Sequence, residues 1–169
     1  MKRTLVLGYG NLDRGDDGLA YTLINNLRCS LGQEALVEGA TGLEELGAEV
    51  DSAFVPQLVP ELIDVVAAYD RVIFADAHVH PNAEEVRCTA VQAEYTASAF
   101  THHLTPAAFV ALLQVVHQRR PASFVLSVRG HSFAFERGLS AVTSASIASA
   151  TKQMLRLLDG GVNASSSSH

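Results

Sequence analysis

Cysteine is scarce in this chain. Of 169 residues only two are Cys. Cys29 and Cys88 stand apart, and neither belongs to a CxxC or to a Cys/His cluster. Reduced, structural thiols in a cytoplasmic protein are therefore expected. Long apolar runs are also missing. The longest, such as Phe109–Leu113, fall far short of the roughly 18–20 residues that cross a bilayer, so no membrane span is expected. The opening Met1–Gly8 is basic and then apolar. Its apolar part ends after about four residues, against roughly 7–15 in a secretory core, and no small-residue cleavage site follows. It reads as a first strand. Nor is there a block of positive charge: the formal net charge is −6, which argues against a nucleic-acid surface.

What is present is a chain of one-domain size with a normal apolar fraction of 48%. A single α/β domain over 1–161 is expected, followed by a polar, serine-rich tail over 162–169 that composition marks as disordered. Thr4–Leu7 is a short apolar strand running into the turn Gly8-Tyr9-Gly10-Asn11. Helical spacing of Leu19, Ala20, Leu23, Ile24 and Leu27 predicts a helix over Asp17–Leu31, with acids at its start. Residues 32–47 lack clean periodicity and read as a loop with at most a helical turn. Further strands are predicted at Glu49–Val55, Arg71–Ala75, Val86–Ala93 and Phe124–Val128. Helices are predicted at Pro60–Tyr69, from Pro106 with Thr105 as cap, and at Ser140–Leu158. This alternation implies a three-layer α/β fold: a mostly parallel, twisted sheet of about five strands with helices on both faces.

Ligand sites in such sheets lie beyond the carboxyl ends of the strands. Three polar clusters follow strands there: Asn11 to Asp17, Asp76 to His80, and Thr101 to His103. Gly8-Tyr9-Gly10 has the outline of a dinucleotide turn, but Asp13, Asp16 and Asp17 crowd the place where phosphates would sit and would repel them. Taken singly, each polar residue has an ordinary explanation. Asp16 or Asp17 at a helix start gains about 0.3–1 kcal/mol as a cap. Asp76 can bond a neighbouring loop, and His102 and His103 can be an exposed pair. Together the clusters offer two carboxylates and one imidazole, an O,O,N set suited to a divalent first-row metal with open positions. At a strand end as deep as that of Asp76, a carboxylate needs donors or a cation. His78 and His80 alternate on one side of an extended segment. They stand either as an exposed pair or as a second metal site. His117 ends an apolar helix, where it meets the helix dipole. His131 follows the last strand, with no further signal for its role. Asn11 is placed to bond its own turn.

Several segments resemble the hydrogenase maturation protease family, in matching order over nearly the whole chain. Leu7-Gly8-Tyr9-Gly10-Asn11 through Arg14-Gly15-Asp16-Asp17-Gly18 is similar to its N-terminal signature. Val72-Ile73-Phe74-Ala75-Asp76-Ala77 is similar to its apolar strand ending in Asp-Ala. Thr101-His102-His103-Leu104-Thr105-Pro106 resembles its Ser/Thr-His-x-Leu-x-Pro element, and Phe133 to Leu139-Ser140 its late aromatic segment. The resemblance implies a cytoplasmic endopeptidase that removes the C-terminal extension of a nickel-iron hydrogenase large-subunit precursor after nickel insertion. It selects Asp17 over Asp16, and His102 over His103 because the motif's Leu falls at Leu104. Asp17, Asp76 and His102 are thus the implied metal-contacting and catalytic set. Nickel is implied to arrive with the substrate, with no organic cofactor and with a monomeric enzyme. Asp16 is a candidate proton acceptor. Neither HExxH nor a Ser or Cys nucleophile motif is present, which counts against other protease classes. Asp13, Ala20 and the His78–Asn82 turn depart from the family pattern without removing a ligand position. Gln57–Leu62 and the His-His pair are closest to the branch serving soluble, NAD-coupled hydrogenases. The rival from another class is a nickel-binding accessory protein that checks metal loading without cutting.

Overall fold

The computed structural model describes residues 2–81, 83–95 and 104–160. The expected tail over 162–169 lies outside them. Five strands form one sheet: β1 (Thr4–Tyr9), β2 (Val50–Val55), β3 (Arg71–His78), β4 (Val86–Ala90) and β5 (Ala122–Arg129). Their spatial order is β2-β1-β3-β5-β4. The first four in that order are mutually parallel, and β4 pairs antiparallel to β5 at the edge. The reversal has a simple cause: the chain between β3 and β4 is only a loop, too short for the helical crossover that a parallel neighbour requires. The strand predicted to reach Ala93 is shorter, and its ladder ends at Ala90.

Helices cover both faces. On one lie α1 (Leu19–Ser30) and α4 (Ala141–Leu158), on the other the short α2 (Ile63–Val66) and α3 (Pro106–His117). Because alternate strand residues point to opposite sides, β1 and β3 feed two cores at once. Val6, Ile73 and Ala75 join Leu23, Ile24, Leu27, Ile147 and Met154 in the first. Leu5, Leu7, Val72 and Phe74 join Val66, Phe109 and Leu113 in the second. Phe74 and Phe109 meet edge to face at 5.7 Å. Burial on both sides explains why Arg71–Ala75 reads as a continuous apolar run. Arg71 also ties the layers together, its guanidinium donating to the carbonyls of Leu157 and Leu158 at the end of α4.

Two helix predictions need correction. The segment expected to be helical over Pro60–Tyr69 is a 3-10 turn at Pro60–Leu62 followed by a single α-turn, Ile63–Val66. Tyr69 stops it, because its hydroxyl donates to the buried Asp51 at 2.7 Å and draws the chain into the sheet. The helix expected from Asp17 begins at Leu19, and Gly15–Gly18 forms a 3-10 turn. α3 and α4 start as predicted: Thr105 accepts from the Ala108 N–H and Ser140 from the Thr143 N–H. No helix among the described residues is long and apolar enough to cross a membrane.

Candidate functional site

The strand order reverses direction at β1: the chain passes from β1 to β2 on one side and then to β3 on the other. The crevice at the carboxyl ends of β1 and β3 is therefore the switch point where open α/β sheets bind ligands. The glycine-rich turn shapes it. A Cβ at Gly10 would lie 1.9 Å from the Asp17 carbonyl oxygen, so only glycine lets the 3-10 turn close onto the strand end. Asn11 holds that closure from both sides. Its side-chain oxygen accepts from the Asp13 N–H at 2.9 Å, and its own N–H donates to Asp17 Oδ2 at 2.8 Å. The expected self-bonding turn is thus present.

Asp76 faces the same crevice from β3. The Tyr9 hydroxyl, at the end of β1, donates to Asp76 Oδ2 at 2.6 Å. Burial pushes the Asp76 carboxyl up to about 6; the Tyr9 hydrogen bond opposes this, and the nearby Asp17 charge adds to it. Burial, followed by the charge of Asp76, raises the Tyr9 hydroxyl far above its ordinary range, so it stays a donor. Among the described residues, Oδ1 of Asp17 and Oδ1 of Asp76 accept no hydrogen bond. Two carboxylates therefore meet at one sheet edge with an oxygen each to spare, a donor set that fits a divalent cation. Tyr9 gave no sequence signal beyond its place in the Gly-x-Gly turn; the alternation of β1, which sets it on the face of Leu5 and Leu7, was the available clue.

Asp16 does something else, and it does not fit the candidate role of proton acceptor. Its side chain is fully buried, on the opposite side of the turn. Oδ1 accepts from the Ser140 N–H at 2.7 Å. Oδ2 accepts from the N–H groups of His131 and Ser132 and from the hydroxyls of Ser140 and Thr143, at 2.7–2.9 Å. Burial acts to raise this carboxyl, but the donors outweigh it and hold it down at about 2. An acid so fully engaged is a poor base. It fastens the 3-10 turn to the loop after β5 and to the start of α4.

The third expected ligand, His102, and its neighbour His103 lie outside the described residues. Among the described residues no three His, Cys, Asp or Glu side chains are placed to hold a metal ion. Leu104 is buried in the core, and Thr105 and Pro106 line a cavity together with Asp76. His78 and His80 line it too, with stacked rings 5.9 Å apart. His78 Nε2 lies 3.2 Å from the Glu84 carbonyl. His131 pairs with Glu85 at 2.9 Å, and His117, at the end of α3, with Asp64 at 2.7 Å.

No protein-family model matches the chain, and no curated protein matches it in sequence. Solved structures do. The hydrogenase maturating endopeptidase HybD from E. coli superposes with a TM-score of 0.66 over 94% of this chain and 93% of that one, at 24% identity. The [NiFe] hydrogenase maturation protease HycI from Thermococcus kodakarensis KOD1 gives 0.64 over 94% and 93%, at 17% identity. An uncharacterized protein from Wolinella succinogenes gives 0.58 over 95% and 98%, at 24% identity. The expected architecture is therefore found, and this chain has the fold of the hydrogenase maturation endopeptidases.

Proposed function

We propose that this chain is an endopeptidase that removes the C-terminal extension of a nickel-iron hydrogenase large-subunit precursor once nickel has been inserted. The observation that carries the reading is the meeting of Asp17 and Asp76 at the switch point of this fold, each with an oxygen available. Asp17, Asp76 and His102 form the proposed metal-contacting set, and the metal is the nickel already seated in the substrate. Thr105, three residues after His102 in sequence, lines the same cavity as Asp76, which supports His102 as the third member. The enzyme is taken to act as a monomer in the cytoplasm, without an organic cofactor.

The chemistry follows from the donor set. Docking of the substrate's nickel against two carboxylates and an imidazole places the neighbouring peptide bond beside a Lewis acid. Such a cation would polarise the carbonyl and lower the pKa of a bound water. Tyr9 holds Asp76 in one orientation by its hydrogen bond to Oδ2, and this leaves Oδ1 turned to the incoming cation. Asn11 does the same for Asp17. The chain thus contributes positioning and negative charge at a prepared site.

The test is direct. Nickel-loaded and nickel-free precursors are incubated with the protein, and the mass of the large subunit is measured. Shortening of the loaded form alone is expected. An unchanged mass with loaded precursor, together with stable complex formation, would replace the endopeptidase by an accessory protein that inspects metal loading.

A further inference from the structure

Beside Asp76 a cavity of about 410 Å³ opens between the sheet and the start of α3. Asp76, Ser127 and Arg87 all line it, and the strand register fixes their arrangement. Asp76 pairs with Ser127 on β5, and Ser127 pairs with Arg87 on β4. The three side chains therefore stand abreast on the face that α3 covers, along a line running across the strands. With neighbouring strands about 4.8 Å apart, Arg87 lies roughly 10 Å from Asp76.

Arg87 is exposed and makes no hydrogen bond or ion pair with a described residue, whereas Arg129, on the neighbouring strand, pairs with Glu85. The Ser127 hydroxyl between the two ends of the line is also unbonded to any described residue. Glu94 lines the same cavity, so the groove is not uniformly basic and Arg87 acts at one position. A guanidinium with no partner among the described residues, set in a concave site, is a planar fork suited to a carboxylate. An extended peptide advances about 3.3 Å per residue, so roughly three residues span the distance from Asp76 to Arg87.

Building on the endopeptidase reading, we infer that this groove holds the substrate segment next to the scissile bond in extended form, and that Arg87 pairs with a carboxylate on that segment about three residues from the bond. That carboxylate is either an Asp or Glu side chain or the free end of a short extension.

The experiment measures kcat and KM on nickel-loaded precursor for the wild-type protein, Arg87→Gln and Arg87→Lys. Loss of one charge-assisted pair is expected to raise KM about tenfold in Arg87→Gln with kcat within about twofold, and Arg87→Lys is expected to recover part of the loss. Two substrate series separate the sources: acids of the extension neutralised one at a time, and an extension lengthened by two glycines to displace its terminal carboxylate. The change that raises KM for the wild type but not further for Arg87→Gln identifies the partner. An unchanged KM in Arg87→Gln, on a precursor that the wild type does process, overturns the groove assignment and leaves the endopeptidase reading intact. Failure of the wild type on every loaded precursor removes that reading and this inference with it.

Discussion

Replacing Asp16 by Asn is the most informative perturbation of the scaffold, because it keeps the shape and removes the charge. The lowering of this buried carboxyl from 3.8 to about 2 corresponds to roughly 2 kcal/mol of stability. The folded-state value lies below the unfolded one. The contribution is therefore complete above about pH 5 and disappears as the pH falls towards about 2. Asparagine removes it at every pH. It also turns one NH2 group towards N–H donors, where either Ser140 or the His131–Ser132 pair loses its acceptor. Leaving such a buried donor unpaired costs about 1–3 kcal/mol more. A total near 3–5 kcal/mol is expected at pH 7, or roughly 6–20 °C in melting temperature for a chain of this size. Thermal and urea unfolding of both proteins across pH 2–8 measures this. The wild-type advantage is expected to be largest above about pH 5 and to shrink by about 2 kcal/mol on acidification. Parallel pH curves, or a melting temperature within about 2 °C of wild type, would refute the assignment of Asp16 as an ionised structural anchor.

Other expectations bear on the site and the core. Tyr9→Phe removes the hydroxyl that orients Asp76; processing is expected to slow about tenfold while stability changes by about 1 kcal/mol at most, and equal rates would deny Tyr9 a positioning role. Asp76→Ala is expected to abolish processing while the protein remains folded by circular dichroism, and normal turnover would remove Asp76 from the site. In Gly10→Ala the new methyl group meets the Asp17 carbonyl, so processing is expected to fall at least as far as in Asp17→Ala; full activity would show that the turn need not close. Phe109→Ala empties a fully buried position packed on Phe74 and is expected to cost about 3–5 kcal/mol in urea unfolding.

The sheet was legible because its strands are buried on both faces and advertise themselves as apolar runs. The caps at Thr105 and Ser140 were legible because capping is local chemistry. Less readable was anything decided at a distance. Pro60–Tyr69 has a helical pattern, yet the Tyr69 hydroxyl bonds Asp51 across the sheet and cuts the helix short. β4 carries no mark of its direction, which follows from the length of the loop before it. The paired acids divide the site in the same way. Asp16 and Asp17 look alike in sequence, and either can cap a helix. Only the fold sends Asp16 inward to donors between His131 and Thr143 and leaves Asp17 at the crevice with Asn11. His102 is selected through resemblance alone, and the described residues do not include it.

The anchor at Asp16 also has a temporal meaning. Its bond to Thr143 joins positions 127 residues apart, and every one of its donors belongs to the last part of the chain. During synthesis the acidic turn emerges early and must wait for nearly the whole protein before its carboxylate is satisfied. Until then Asp16 has none of its donors, whereas Asp17 already has a local one in the Asn11 N–H six residues before it. The site at the beginning of the sequence is therefore completed by its end, and a chain interrupted before His131 carries the signature residues with none of the donors that hold Asp16 inward.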